Sequence, residues 1–118
     1  MQELLNISDH ACDTLGVLDG DPSRLAALLQ QGGISGIELM VTGYGDPAFF
    51  PTGTVHGVHL RFWPNWLDFW LGNEEELHKE FGSRENVAAV FGENRAAWLA
   101  LWHENMRTAA RVGARYVV

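Results

Sequence analysis

The sequence predicts an α/β fold with parallel strands, and three observations predict it. Short apolar runs of strand length alternate with longer stretches of helical periodicity. The helical stretches carry start and stop residues at their ends. The apolar runs are separated each time by enough chain for a crossover, which favours parallel pairing with strands buried behind their helices.

The elements follow in order. Leu4 to Ile7 reads as a first strand, followed by a polar loop to Asp21. Asp21-Pro22 starts a helix, with Asp as N-cap and Pro at the first helical position. This helix runs to about Gln31, before Gly32-Gly33, and its Leu25, Leu28 and Leu29 recur at helical spacing. "GIELM", Gly36 to Met40, is a second strand, and "VHGVHLRF", Val55 to Phe62, is a third. Residues 41 to 54 between them are rich in Gly and Pro, so that crossover is expected without a full helix.

The rest of the chain turns helical. Asn73 before Glu74, Glu75 and Glu76 marks a capped start with acids favoured by the helix dipole, and Gly82 ends that helix. Ser83 caps a short second helix stopped by Gly92. From about Asn94 a long helix follows, with Trp98, Trp102, Met106 and Ala109 on one stripe and Arg95, His103, Arg107 and Arg111 largely off it. Gly113 closes it, and "RYVV" reads as a last strand.

Composition narrows the function. With 118 residues, no internal repeat and no low-complexity linker, the chain reads as one continuous unit. A net charge of −7 is the wrong sign for gripping a polyanion, so nucleic acid is disfavoured as a partner. The single cysteine, Cys12, has no internal disulfide partner, and a cytoplasmic setting fits. No secretory signal opens the chain, and no window approaches the roughly 18 apolar residues of a membrane span. Nucleotide-binding glycine fingerprints, a P-loop, zinc spacings and a nucleophile elbow are all missing.

The stretches "GIELM", "VHGVHLRF" and "AARVGARYVV" resemble the first half of a xylose isomerase-like barrel. That family of TIM barrels includes sugar and sugar-phosphate isomerases and epimerases and the endonuclease IV type of DNA-repair enzyme. The resemblance implies that residues 1–118 are a single partial domain, a parallel-stranded (β/α) half-barrel holding about the first four strands. A complete barrel needs roughly 250 residues. The resemblance thus implies a truncated piece, or a half that completes itself as a homo-oligomer or by pairing with a C-terminal half.

Strand alternation gives the direction of the polar residues. Ile37 and Leu39 share a face, so Glu38 points the other way with Gly36 and Met40. Val58, Leu60 and Phe62 share a face, which sets Gly57, His59 and Arg61 opposite. By the same period His56 and His59 fall on opposite faces and cannot readily share a metal. With the apolar faces packed on helices, Glu38, His59 and Arg61 project into the barrel near its C-terminal mouth, where barrel enzymes keep their chemistry. An inward carboxylate such as Glu38 needs pairing with Arg61 or His59, hydration, or the hydroxyls of a sugar.

"FWPNWLDFW", Phe62 to Trp70, follows the third strand as an aromatic loop expected over the barrel mouth. Trp63, Trp66, Phe69 and Trp70 are candidates for an apolar wall that stacks on a sugar ring, for helix packing, or for a dimer interface. The family resemblance implies a carbohydrate-like substrate and a divalent metal (Mn, Mg, Co or Zn), with His59 contacting substrate or metal. It also implies that the catalytic acid/base residues and most metal carboxylates sit on later strands, so the 118-residue chain alone is expected to be inactive. The alternatives are an endonuclease IV-like metal phosphodiesterase, which wants several inward histidines and a basic rim, and a non-catalytic oligomerising or binding module.

Overall fold

In the segment Gly36 to Met40, apolar Ile37 and Leu39 alternate with Glu38 and Met40, and the backbone takes the extended form that this period favours. The computed structural model describes residues 2–61 and 63–118. They divide into two compact units, one made of Met1–Arg61 with Asn105–Val118 and the other of Phe62–Glu104.

The first unit is a parallel sheet. Its strands are β1 (Leu4–Ser8), β2 (Gly36–Met40), β3 (Val55–His59) and β4 (Tyr116–Val117), and they lie side by side in the order β1-β2-β3-β4. Every pair is parallel. The α/β class and the parallel sheet therefore agree with the expectation from sequence. The register aligns Ile7, Leu39, Val58 and Val117 in one row and Asn6, Glu38, Gly57 and Tyr116 in the next.

The two faces of this sheet differ sharply. Ile37, Leu39 and Val58 are each 0% exposed, whereas Met40 and Tyr116 on the other face are 46% and 41% exposed. One face is thus sealed by the unit's core, and the other is open. The core also holds Leu25 and Leu29 of α2 (Ser23–Gly32), together with Leu18, Ala109 and Val112.

Boundaries depart from expectation in three places. The segment after β1 holds a short helix, α1 (Ala11–Thr14), started by His10 Nδ1 accepting the Cys12 amide hydrogen. α2 begins one residue later than its Asp-Pro start implied, because Asp21 caps through its carboxylate, accepting from both the Ser23 amide and hydroxyl. β3 stops at His59, and Phe62, expected in this strand, lies outside the described residues. The crossover from β2 to β3 has no α-helix, as expected, only a short 3₁₀ turn at Pro47–Phe49.

The second unit is helical. It holds α3 (Trp66–Leu71), α4 (Glu74–Phe81), α5 (Arg84–Phe91) and the N-terminal part of α6 (Arg95–Arg111), whose residues from Asn105 belong to the first unit. Ser83 caps α5 by accepting from the Asn86 amide, and Asn94 does the same for the Ala97 amide at α6. Leu77 and Phe91 are buried, and the Phe69 and Phe81 rings pack on Phe91. Among the described residues no helix is long and apolar enough to cross a membrane.

Candidate functional site at the open face of the sheet

The open face is built by alternation. Asn6, Glu38 and Tyr116 lie in one row across the strands, with Gly57 between the last two, and Ser8, Met40 and His59 form the following row toward the strands' C-terminal ends. In parallel sheets that end is where ligands are held. Glu38 and His59 therefore share the open face, as the sequence alternation required.

Glu38 has a definite partner. The Tyr116 hydroxyl donates to Glu38 Oε2 at 2.8 Å, reaching from β4 over β3 to β2. It can do so because β3 carries glycine at the crossing point. A Cβ on Gly57 would sit 2.3 Å from the Tyr116 ring carbon Cζ. The bond to the carboxylate holds the Tyr116 phenol above its ordinary pKa, with slight desolvation and the nearby negative charge adding to it.

The other expected partners of Glu38 are engaged elsewhere. The Arg61 guanidinium lies over the Tyr44 ring at 5.6 Å, a cation–π contact. His59 Nδ1 is 3.2 Å from the Leu60 carbonyl, which can only accept, so the proton sits on Nδ1. In the tautomer that donates from Nδ1, Nε2 carries the lone pair that accepts a hydrogen bond or ligates a metal.

A bulge changes the reading of the two histidines. Between Ile37 and Glu38 the pairing skips one residue of β3, since Ile37 faces Val55 while Glu38 faces Gly57. His56 is the extra residue, and its ring lies against Gly36, where a Cβ would be 2.8 Å from His56 Nε2. Gly36 is on the Glu38 face, so His56 and His59 are on the same face and not on opposite ones. His56 is 8% exposed, and its Nδ1 has no hydrogen-bond partner.

Sequence reasoning missed two residues. Tyr116 is one; the signal was a glycine inside a strand, which marks close approach of another group. Asp9 is the other. It follows β1 directly, is 2% exposed, and accepts from the Thr42 amide (2.9 Å) and the Thr42 hydroxyl (2.5 Å) through Oδ1. Its Oδ2 is buried without a partner. A charged residue just past a strand's C-terminal end was the available clue.

The aromatic candidates belong to the second unit. Trp66 stacks on Trp98 (5.9 Å, 4° between planes), Phe69 stacks on Phe91 (4.8 Å), Trp70 tilts against Trp98, and Trp63 meets Phe81 edge-on. Each of these rings thus has an aromatic neighbour within its own unit, as helix packing requires.

Among the described residues no group of three His, Cys, Asp or Glu side chains is placed to hold a divalent metal. His59 offers a single free imidazole nitrogen, and a metal needs further ligands beside it. In comparison with known proteins, the chain matches no family model, and no curated protein or solved structure is significantly similar to it.

Proposed function

We propose that this chain is the first half of a (β/α)₈ barrel that isomerises or epimerises a sugar or sugar phosphate, with the open sheet face as half of its substrate chamber. The reading rests on one observation: four parallel strands in sequential order, sealed on one face and polar on the other at Asn6, Glu38 and His59. A sequential parallel order is what a barrel wall uses, whereas a doubly wound sheet reverses its order partway.

In this function the chain binds and orients. The Glu38 carboxylate accepts from a sugar hydroxyl while the Tyr116 hydroxyl fixes its orientation, and His59 Nε2 accepts from a second hydroxyl. The proton transfers and any metal chemistry belong to groups outside these residues. No step is assigned to a metal held by this chain.

The test is ligand-observed NMR and calorimetry on the 118-residue protein with a panel of aldoses, ketoses and their phosphates. Weak saturable binding is expected, with a loss of about fivefold or more in affinity in Glu38→Gln or His59→Ala. Binding untouched by both substitutions, or rapid turnover by the isolated chain, would count against the assignment.

A further inference from the structure

Arg61 is the one polar residue expected on the open face that the proposed sugar contacts do not use. Backbone pairing continues past β3, since the Leu60 amide donates to the Val118 carbonyl and the Val41 amide to the His59 carbonyl. Leu60 is 2% exposed on the sealed side, so Arg61 falls on the open face with His59. It stands two residues beyond His59, roughly 7 Å along the strand, at the C-terminal end of the sheet.

Arg61 is half-buried, and its charge is unanswered. Among the described residues it makes no ion pair and no hydrogen bond, in a chain with 15 acids. Its guanidinium lies over the Tyr44 ring at 5.6 Å. That contact engages the flat face of the group and leaves its N–H donors, which radiate in the plane, without acceptors.

The platform under the guanidinium is anchored in the core. The Tyr44 amide donates to the Thr42 hydroxyl oxygen at 3.2 Å, and Thr42 donates through its amide and hydroxyl to Oδ1 of buried Asp9. A Cβ on Gly45 would collide with the Asp9 carbonyl, so the loop is pressed onto that anchor. Acids on neighbouring segments are engaged elsewhere: Asp13 by the Ser8 amide and hydroxyl, Asp46 by the Ala48 amide, and Glu38 by Tyr116. A fixed cation with unused donors, beside two acceptors for hydroxyls, is suited to a ligand that carries both hydroxyls and a negative charge.

We propose that Arg61 is the anion subsite of this chamber and takes the phosphate of a sugar phosphate, so that phosphorylated sugars are preferred over neutral ones. The inference rests on the open face binding a sugar. Hydroxyls meet Glu38 and His59, while two phosphate oxygens accept from the guanidinium fork.

Calorimetry on the 118-residue protein with glucose, glucose 6-phosphate, glucuronate and inorganic phosphate tests this. Glucose 6-phosphate should bind about tenfold or more tightly than glucose at low salt, and the advantage should shrink toward about 0.5 M salt. Glucuronate, with one negative charge against the nearly two of a phosphate monoester, should fall between them. Arg61→Gln should abolish the advantage while leaving glucose within about twofold and circular dichroism unchanged. Tyr44→Ala, at an exposed ring, should reduce the advantage about threefold. Glu38→Gln should weaken both sugars alike. Equal affinities for glucose and glucose 6-phosphate, both lowered by Glu38→Gln, would overturn the phosphate subsite and leave the sugar chamber intact. Saturable inorganic phosphate lost in Arg61→Gln, with no sugar sensitive to Glu38→Gln, would keep the subsite and remove the chamber. Glucuronate as tight as glucose 6-phosphate, or no saturation by either phosphate compound at about 10 mM, would overturn the subsite itself.

Discussion

Tyr116 and Gly57 act as one device, a ring and the space it needs. The phenol donates to Glu38, and this bond favours the neutral form, so folding raises the pKa. A raised pKa means that the stabilisation is complete below the unfolded value near 10 and is lost as pH rises through the folded value. In a carbon-detected NMR titration Tyr116 should ionise late, and Glu38→Gln should bring it back toward the ordinary value; an unchanged titration would show that the bond is not formed in solution. Gly57→Ala should displace the ring, because its Cβ would lie 2.3 Å from Cζ. The expected cost is about 1–3 kcal/mol in urea unfolding. Most of that cost should vanish in a Tyr116→Ala background, since residues in contact are not additive.

At the scale of the element, β2 separates two environments with adjacent residues. Leu39→Ala should cost about 3 kcal/mol because the side chain is fully buried, whereas Met40→Ala, on the open face, should stay within about 0.5 kcal/mol. Equal effects in urea unfolding would mean that both faces are covered. The same alternation made β2 legible in sequence, to the residue, and it placed Glu38 and His59 on one face correctly. Three helices of the second unit, α4, α5 and α6, were legible through their punctuation, Asn73 and Gly82, Ser83 and Gly92, and Asn94, whereas α3 lies in a segment expected as a loop. α1 was not, because it has four residues and its cap is an imidazole ring. The bulge at His56 was not either, since a period of two contains no signal for an extra residue. The Tyr116–Glu38 bond joins residues 78 positions apart, and only the strand register brings them together. Asp9 depends likewise on Thr42 of another loop.

For the whole molecule, the sheet has two edges and one open face to satisfy. β1 and β4 each have a single neighbour among the described strands, and such edges present unpaired backbone groups to other chains. The open face adds exposed Met40 and Tyr116. Against association stands the net charge of −7, which repels copies of the chain and is screened by salt. The proposed half-barrel therefore predicts association that strengthens with ionic strength. Light scattering should give a mass above 13.1 kDa, rising between low salt and about 0.5 M. Met40→Lys puts a charge on the open face without touching the core, so it should return the protein to the monomer with its unfolding midpoint little changed. A monomer of 13.1 kDa at every salt and protein concentration would remove the reason to regard these edges as unfinished.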